Sequence, residues 1–327
     1  MKFDTADTLP WLADSQNRLR RAAVSGRLPH SLLLLSAPGL GADSLAEWTL
    51  AFALCEDLER RPCGACPSCL LLRADSHPDA HVVRLEDDAQ QIKVDQVRAL
   101  IEALALKSYR GGYKVGLILG AETLNTNGAN AFLKTLEEPT QNTLLIMTAR
   151  PTHRLPATIA SRCLRLVLRP PGREAGEAWL RTHAPPCPDW QPALALAGGA
   201  PLLAAELETE GLVSLDVEMR ASMEQLAAGS VDISLLAEAW AKSVPGLRVL
   251  WLENWITTRV RQALGAVDSR KTAEPVGLPG ALLKPKIRGL FRLLDVVRQF
   301  RRLTPTGMNQ QLALEALLLD GRAALAK

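Results

Sequence analysis

The sequence predicts an α/β domain built on a parallel sheet, followed by two helical domains. Three observations carry that prediction. Short apolar runs alternate with helical patterns from Ser31 to about Arg169, a proline-glycine break follows, and no strand pattern survives beyond about Val213. The runs are SLLLLS, AHVVRL, KVGLIL, TLLIMT and LRLVL. A parallel strand buried on both faces needs such continuous apolar character. Between the runs, Asp95 to Ala105 places Val97, Leu100, Ile101 and Leu104 at helical spacing, and Asn130 to Glu138 reads as a helix stopped by Pro139.

Pro170, Pro171 and Gly172 break the chain, which sets the first domain at residues 1–169. Pro185, Pro186 and Pro188 punctuate a helical stretch that reaches about Glu208, a small second domain at 170–208. The rest, 209–327, is predicted all-helical. Its longest candidate helices are Ile233 to Ala241, Leu247 to Leu264, Pro285 to Leu303 and Asn309 to Leu325, and the loop GAVDSRKTAEPVGLPG interrupts them. A length of 327 residues suits two or three domains.

Charge excludes little. Lys and Arg number 38 against 35 Asp and Glu, too balanced to announce nucleic acid, although a local basic face stays open. The basic segment of Lys284, Lys286, Arg288, Arg292, Arg298, Arg301 and Arg302 reads as a solvated helix face. No apolar run approaches the roughly 20 residues that cross a bilayer, so no membrane association is expected. The start, MKFDTADTLPWLAD, carries acids where a signal peptide has its apolar core, and the expected location is the cytoplasm.

Two local motifs carry chemistry. After the first strand, Ser36-Ala37-Pro38-Gly39-Leu40-Gly41-Ala42-Asp43-Ser44 leads into a helical run, the context of a Walker A phosphate loop. In a working loop, backbone N–H groups cradle phosphates, a lysine neutralises them and a hydroxyl ligates Mg²⁺. Aligned on Gly39 and Gly41, the lysine position holds Ala42, the hydroxyl position Asp43 and the first glycine position Ser36. Tight ATP binding is therefore not expected. By itself the segment also fits an ordinary glycine turn between strand and helix. The second motif is Cys55, Cys63, Cys66 and Cys69 at C-x7-C-x2-C-x2-C spacing, with turns at Pro62, Gly64 and Pro67. Four thiolates suit tetrahedral Zn²⁺ and leave no open position, which predicts a structural rather than a catalytic site. A redox Cys-x-x-Cys is the competing reading. His77 and His81 lie nearby and are read as ordinary loop and strand residues.

Asn130 to Pro139, NAFLKTLEEP, together with Ser161-Arg162-Cys163 after the next strand, resembles the bacterial clamp-loader subunits of the AAA+ class. The cysteine module inserted behind the phosphate loop strengthens the resemblance, which covers about Leu32 to Pro170. More faintly, NQQLALEALLL from Asn309 is similar to the last helix of the same subunits. The resemblance implies a P-loop AAA+ domain, a helical lid at 170–208 and an oligomerising collar at 209–327. Apolar stripes such as Ile287, Leu290, Leu294 and Val297 suit such helices.

The hydrolysing members of that family carry Walker A lysine and threonine, Walker B acids and a lid arginine. Here the strand from Lys114 runs into Leu119 and Gly120 where the acids belong, and the lid pattern reads Gly199-Ala200-Pro201-Leu202, with leucine at the arginine position. The resemblance is thus to a non-hydrolysing member within a DNA polymerase holoenzyme. It implies gamma/tau and delta subunits as partners in a hetero-pentamer, with the sliding clamp and primer-template DNA met by the assembled complex. It also makes Arg162 an arginine finger acting in trans on a neighbour's ATP. A local carboxylate pair is the alternative role for Arg162. Ser161 is expected to hydrogen-bond locally and Cys163 to act as a small buried hydrophobe. An active ATPase, or a zinc-dependent nucleic-acid-binding protein, are the readings that remain beside it.

Overall fold

The computed structural model describes residues 3–87, 89–151, 155–263, 287–303 and 309–325. The chain forms two compact units, Met1–Gly172 and Arg173–Lys327. The loop at 265–280, with Lys284 and Lys286, lies outside the described residues, as do the side chains of Ile287, Arg288 and Arg302.

The first unit contains helices α1 (Ala13–Val24), α2 (Ala42–Leu54), α3 (Pro67–Arg73), α4 (Val94–Ala105), α5 (Thr126–Glu137) and α6 (Ala157–Ala160). Strands β1 (Ser31–Leu35), β2 (Ala80–Val83), β3 (Lys114–Ile118), β4 (Thr143–Ala149) and β5 (Leu164–Val167) form one parallel sheet in the order β2-β3-β4-β1-β5. All five apolar runs are therefore strands. Leu33 of β1 stands opposite Met147 of β4 and Arg165 of β5, and Leu117 of β3 opposite Ile146. β3 and β4 are wholly buried, as their continuous apolar runs require. β5 differs from that expectation. As an edge strand it leaves Leu164 and Val167 exposed.

One face of the sheet is covered by α4 and α5, whose Val97, Leu100, Leu104, Phe132 and Leu136 join Leu33, Leu145 and Met147 in one apolar cluster. The close approach of α4 explains the glycine inside β3. A Cβ on Gly116 would stand 2.9 Å from a Leu104 methyl. α5 starts four residues before the predicted Asn130, because the Asn125 side chain accepts from the Gly128 N–H at 2.7 Å and caps it. Lys114 is buried at the other end of α4. Its ammonium donates to the carbonyls of Leu104 and Leu106 and to Thr140 Oγ1 at 2.6 to 2.8 Å, while burial lowers its pKa.

The second unit is helical: α7 (Arg173–His183), α8 (Gln191–Leu196), α9 (Pro201–Thr209), α10 (Leu212–Ala228), α11 (Ile233–Lys242), α12 (Pro245–Ala263), α13 (Ile287–Leu303) and α14 (Gln310–Leu325). The predicted stripe of α13 is core, with Leu290, Leu294 and Val297 buried. On its outer side Arg298 and Arg301 pair with Glu253 of α12 at 3.0 and 2.6 Å, which fits the solvated-face reading of that basic segment. A polar link from the buried Arg248 ties three helices. Arg248 of α12 reaches Glu218 of α10 at 2.9 Å and lies over the Trp240 ring of α11. Among the described residues no helix is long and apolar enough to cross a membrane.

Candidate functional site

Past the end of β1 the chain turns through the phosphate-loop segment into α2. Gly39 and Gly41 take φ of 77° and 79°, a left-handed conformation that glycine adopts at little cost, and Gly41 caps α2. The buried Ser36 donates its N–H to Ala149 at 3.0 Å and its hydroxyl to the Ala37 carbonyl at 2.7 Å. Leu40 is buried, and its carbonyl accepts from the Trp11 indole at 2.9 Å. The loop thus joins two left-handed glycines to a helix start, with side chains that cannot neutralise a phosphate. Ala42 offers only a methyl group, and Asp43 sits exposed in the first turn of α2. That turn is where a helix N-terminus favours an anion, and the carboxylate supplies one already.

Beyond β3, Leu119 donates its N–H to Val83, and Gly120 takes φ 73° while its N–H reaches Thr148 Oγ1 at 2.9 Å. Neither can bind metal or move a proton. The nearest carboxylate in sequence, Glu122, is engaged by Arg150, whose N–H donates to it at 3.2 Å and whose guanidinium lies 3.6 Å away. In the second unit, Leu202 lies half-buried in the first turn of α9, after Gly199 in a left-handed turn.

Arg162 sits between α6 and β5. Its N–H donates to Ile159 at 3.1 Å, and its carbonyl accepts from the Ser31 hydroxyl at 2.7 Å, at the start of β1. The guanidinium is about a third exposed. Nε donates to Glu137 Oε1 at 2.7 Å, the same oxygen pairs with Nη2, and Nη1 donates to the Thr158 carbonyl at 2.9 Å. Ser161 Oγ donates to Thr158 at 3.1 Å. Cys163 packs partly buried against the core and donates its thiol to Ile159, with burial pushing its pKa up. Both readings of the flanking residues agree with this geometry. A carboxylate partner for Arg162 is present too, and Glu137 lies in the LEEP segment that the sequence had singled out without giving this residue a role.

The phosphate loop and Arg162 are not brought together. β1 separates them by four residue steps, about 13 Å at 3.3 Å per residue, with Arg162 level with its first residue and the loop beyond its last.

The four cysteines do converge. Their sulfurs lie within 4.8 Å of one another, Cys55 and Cys66 at 3.9 Å. Four sulfurs at about 2.3 Å from one Zn²⁺ stand about 3.8 Å apart, so the residues fit a tetrahedral ion. Backbone N–H groups of Cys63, Cys66 and Cys69 point at sulfurs 3.3 to 3.4 Å away, which favours thiolates. Hydrogen bonds from the Ala65 and Cys66 backbones bring Cys63 down to about 7, whereas burial raises Cys55 and Cys69. His77 is no ligand of this cluster.

His77 belongs to a polar chain behind the cysteines that the sequence did not reveal. Its Nδ1 accepts from the Asp79 N–H at 3.1 Å, which leaves the Nε2 proton for Ser68 Oγ at 3.2 Å. Ser68 donates to Glu56 at 2.7 Å, and Glu56 also holds Arg110 at 2.7 Å. Asp79, buried, accepts from the N–H groups of Tyr109 and Arg110 and from the Ser108 hydroxyl at 2.7 to 3.1 Å. The cysteine module is thereby tied to β2 and to the loop before β3.

These features can be set beside known proteins. Residues 12–172 match the family model described as DNA polymerase III, delta subunit. The DNA polymerase III subunit delta' of Pseudomonas aeruginosa is 34% identical over 96% of this chain and 97% of its own length. The chain belongs to the DNA polymerase III delta' family. The subunit delta' of Escherichia coli is 30% identical over 95% of this chain and 94% of its own. The tau subunit of Escherichia coli is 32% identical over 44% of this chain and 22% of its own length. Similarity to this tau subunit covers only part of the chain, whereas similarity to the delta' subunits of Pseudomonas aeruginosa and Escherichia coli runs almost from end to end, through both compact units.

Proposed function

We propose that the chain serves the DNA polymerase III clamp loader as a non-hydrolysing subunit that supports ATP-dependent loading of the sliding clamp onto primed DNA. It works in the cytoplasm, in a hetero-pentamer with gamma/tau and delta subunits, and lends Arg162 to a neighbour's ATP site. In this reading 170–208 is the lid, 209–327 is the collar, and DNA is met by the assembled ring.

The observation that carries the reading is the opposition along β1. Residues unable to bind or hydrolyse ATP (Ala42, Asp43, Leu119, Gly120) lie at one end of the sheet, and an arginine about a third exposed lies at the other, out of reach of the chain's own loop. An arginine too far to act in cis on this loop can act on a nucleotide only across a subunit boundary, while its pair with Glu137 remains a local role. A guanidinium placed on a neighbour's γ-phosphate would stabilise the charge spreading over the transferred phosphoryl group, an effect of roughly 10³ to 10⁵ in rate. Leu202, which lacks a charge, fits the loss of the chain's own chemistry. Zn²⁺ bound by Cys55, Cys63, Cys66 and Cys69 would fix the fold of residues 55–69 and take no part in a reaction.

The test is a loader reconstituted with wild-type or Arg162→Ala chain, in which only the adjoining ATPase subunit retains its Walker A lysine. Turnover should fall at least a hundredfold with assembly intact. Unchanged turnover would remove the arginine-finger role.

A further inference from the structure

We infer that Glu137 is the positioning residue for Arg162, holding the finger in the orientation it presents to the neighbour. The inference rests on the trans role proposed above. It adds the group inside this chain that makes the role possible.

An arginine side chain has four rotatable bonds and loses rotamer freedom on being fixed. A freely moving one would lose that freedom during each encounter with the nucleotide. Here it is already restrained. The Arg162 N–H donates to the Ile159 carbonyl and the Ser31 hydroxyl donates to the Arg162 carbonyl, which anchors the residue, and Cys163 seats the next position against the core. At the guanidinium, Nε and Nη2 share Glu137 Oε1, and Nη1 reaches Thr158. A guanidinium has five N–H donors. Three are used within the chain, so two remain, and about a third of the side chain is accessible. The arrangement satisfies part of the fork and leaves donors over for an anion. Glu137 is itself half-exposed at the last turn of α5, which α6 packs against, so its removal opens no cavity in the core.

Both contacts fall on a single oxygen, and this decides what the chemistry needs. A glutamine at 137 keeps one carbonyl oxygen that can accept the same two donors. An alanine keeps none. Positioning therefore predicts that the oxygen matters more than the charge.

The test uses the same reconstituted loader with one competent ATPase neighbour, and measures kcat and KM for ATP. Glu137→Ala should lower kcat about tenfold with KM nearly unchanged, since misplacing a group that acts only in the transition state affects the chemical step. Glu137→Gln should stay within about threefold of wild type. In an Arg162→Ala background, Glu137→Ala should have no further effect, whereas a purely structural contribution would act in both backgrounds. If Arg162→Ala lowers kcat and Glu137→Ala does not, the positioning role is wrong while the finger stands. If Glu137→Ala raises kcat, the carboxylate restrains the finger and the inference is overturned. If Arg162→Ala itself changes nothing, the trans reading and this inference both fall. A shared melting temperature for the wild-type and Glu137 chains is the control that the fold is intact.

Discussion

The double substitution Ala42→Lys with Asp43→Thr tests the proposal that the loop at 36–44 does not hold ATP, and that its side chains alone are the reason. The backbone there is already turned by left-handed Gly39 and Gly41 into the start of α2, so the change alters charge with little demand on conformation. Asp43 is exposed, which places the electrostatics near the aqueous limit. A unit charge about 4 Å from a phosphate charge is worth about 1 kcal/mol there. Removing the repulsion of Asp43 and adding the attraction of a lysine gives about 2 kcal/mol, or roughly a thirtyfold gain in affinity. Loss of an acid from the first turn of α2 costs about 0.3 to 1 kcal/mol of stability. Titration calorimetry with Mg-ATP should find no measurable binding to the wild-type chain at millimolar nucleotide and clear binding to the variant. Phosphate release should stay at background in both, because Leu119 and Gly120 still provide neither a metal ligand nor a group to polarise water. Micromolar affinity in the wild type, unmoved by the substitution, would refute the assignment of silence to Ala42 and Asp43. Hydrolysis by the variant would refute the argument from β3.

Two predictions concern the scaffold behind the site. The purified chain should carry one zinc per molecule by elemental analysis, and chelation or Cys69→Ser should lower the melting temperature by roughly 10 °C or more, since a buried tetrahedral site contributes folding free energy; a chain without zinc and indifferent to chelator would contradict the metal assignment. Asp79→Asn should destabilise the chain by about 2 to 3 kcal/mol at pH 7, because three donors converge on a buried carboxylate and an amide can serve them only in part. Burial by itself would raise the Asp79 pKa, but the bonds from Tyr109, Arg110 and Ser108 outweigh it and the value is lowered. A lowered folded-state pKa means that the stabilisation is complete above the unfolded value near 3.9 and is lost as pH falls through the folded one. Denaturant midpoints of wild type and variant should therefore converge as pH falls through the lowered folded-state value, and a gap that persisted or widened in acid would show that the charge of Asp79 is not the cause.

What the sequence made legible was local. β3, β4 and β1 announce themselves because a parallel strand covered on both faces needs an unbroken apolar run, the edge strands β2 and β5 carry shorter apolar runs, and the cysteine cluster shows because ligands two residues apart reach one ion. α1 gave no such signal. Its buried side includes Ser15 and Gln16 beside Leu19, and Gln16 is held by Asp7 through a hydrogen bond that periodicity does not encode. α10 was hidden for a similar reason, since it buries Asp216 beneath the indole N–H of Trp251. Contacts across the chain were invisible as well. Glu137 and Arg162 both lie in segments that motif reading singled out, yet nothing in a spacing of 25 residues says that they touch.

The placement of these groups gives the proposed loss of the chain's own ATP chemistry, with Arg162 kept, a physical reason. A working ATPase of this architecture has two separable tasks, binding its own nucleotide beyond the carboxyl ends of the strands and presenting an arginine from the opposite end. Among the described residues the two ends share no side chain. Ser36, Gly120 and Thr148 are bonded among the strand ends, whereas Ser31, Glu137, Thr158 and Arg162 form a separate set about 13 Å away along β1. Substitution at Ala42, Asp43, Leu119 or Gly120 therefore leaves the support of Arg162 untouched. The core between them, Leu33 with Leu145 and Met147, needs only to remain apolar for both ends to keep their places. That independence is testable in the same loader: the Ala42→Lys, Asp43→Thr chain should support neighbour turnover equal to wild type, and a loss there would mean that the two ends are coupled through β1 after all.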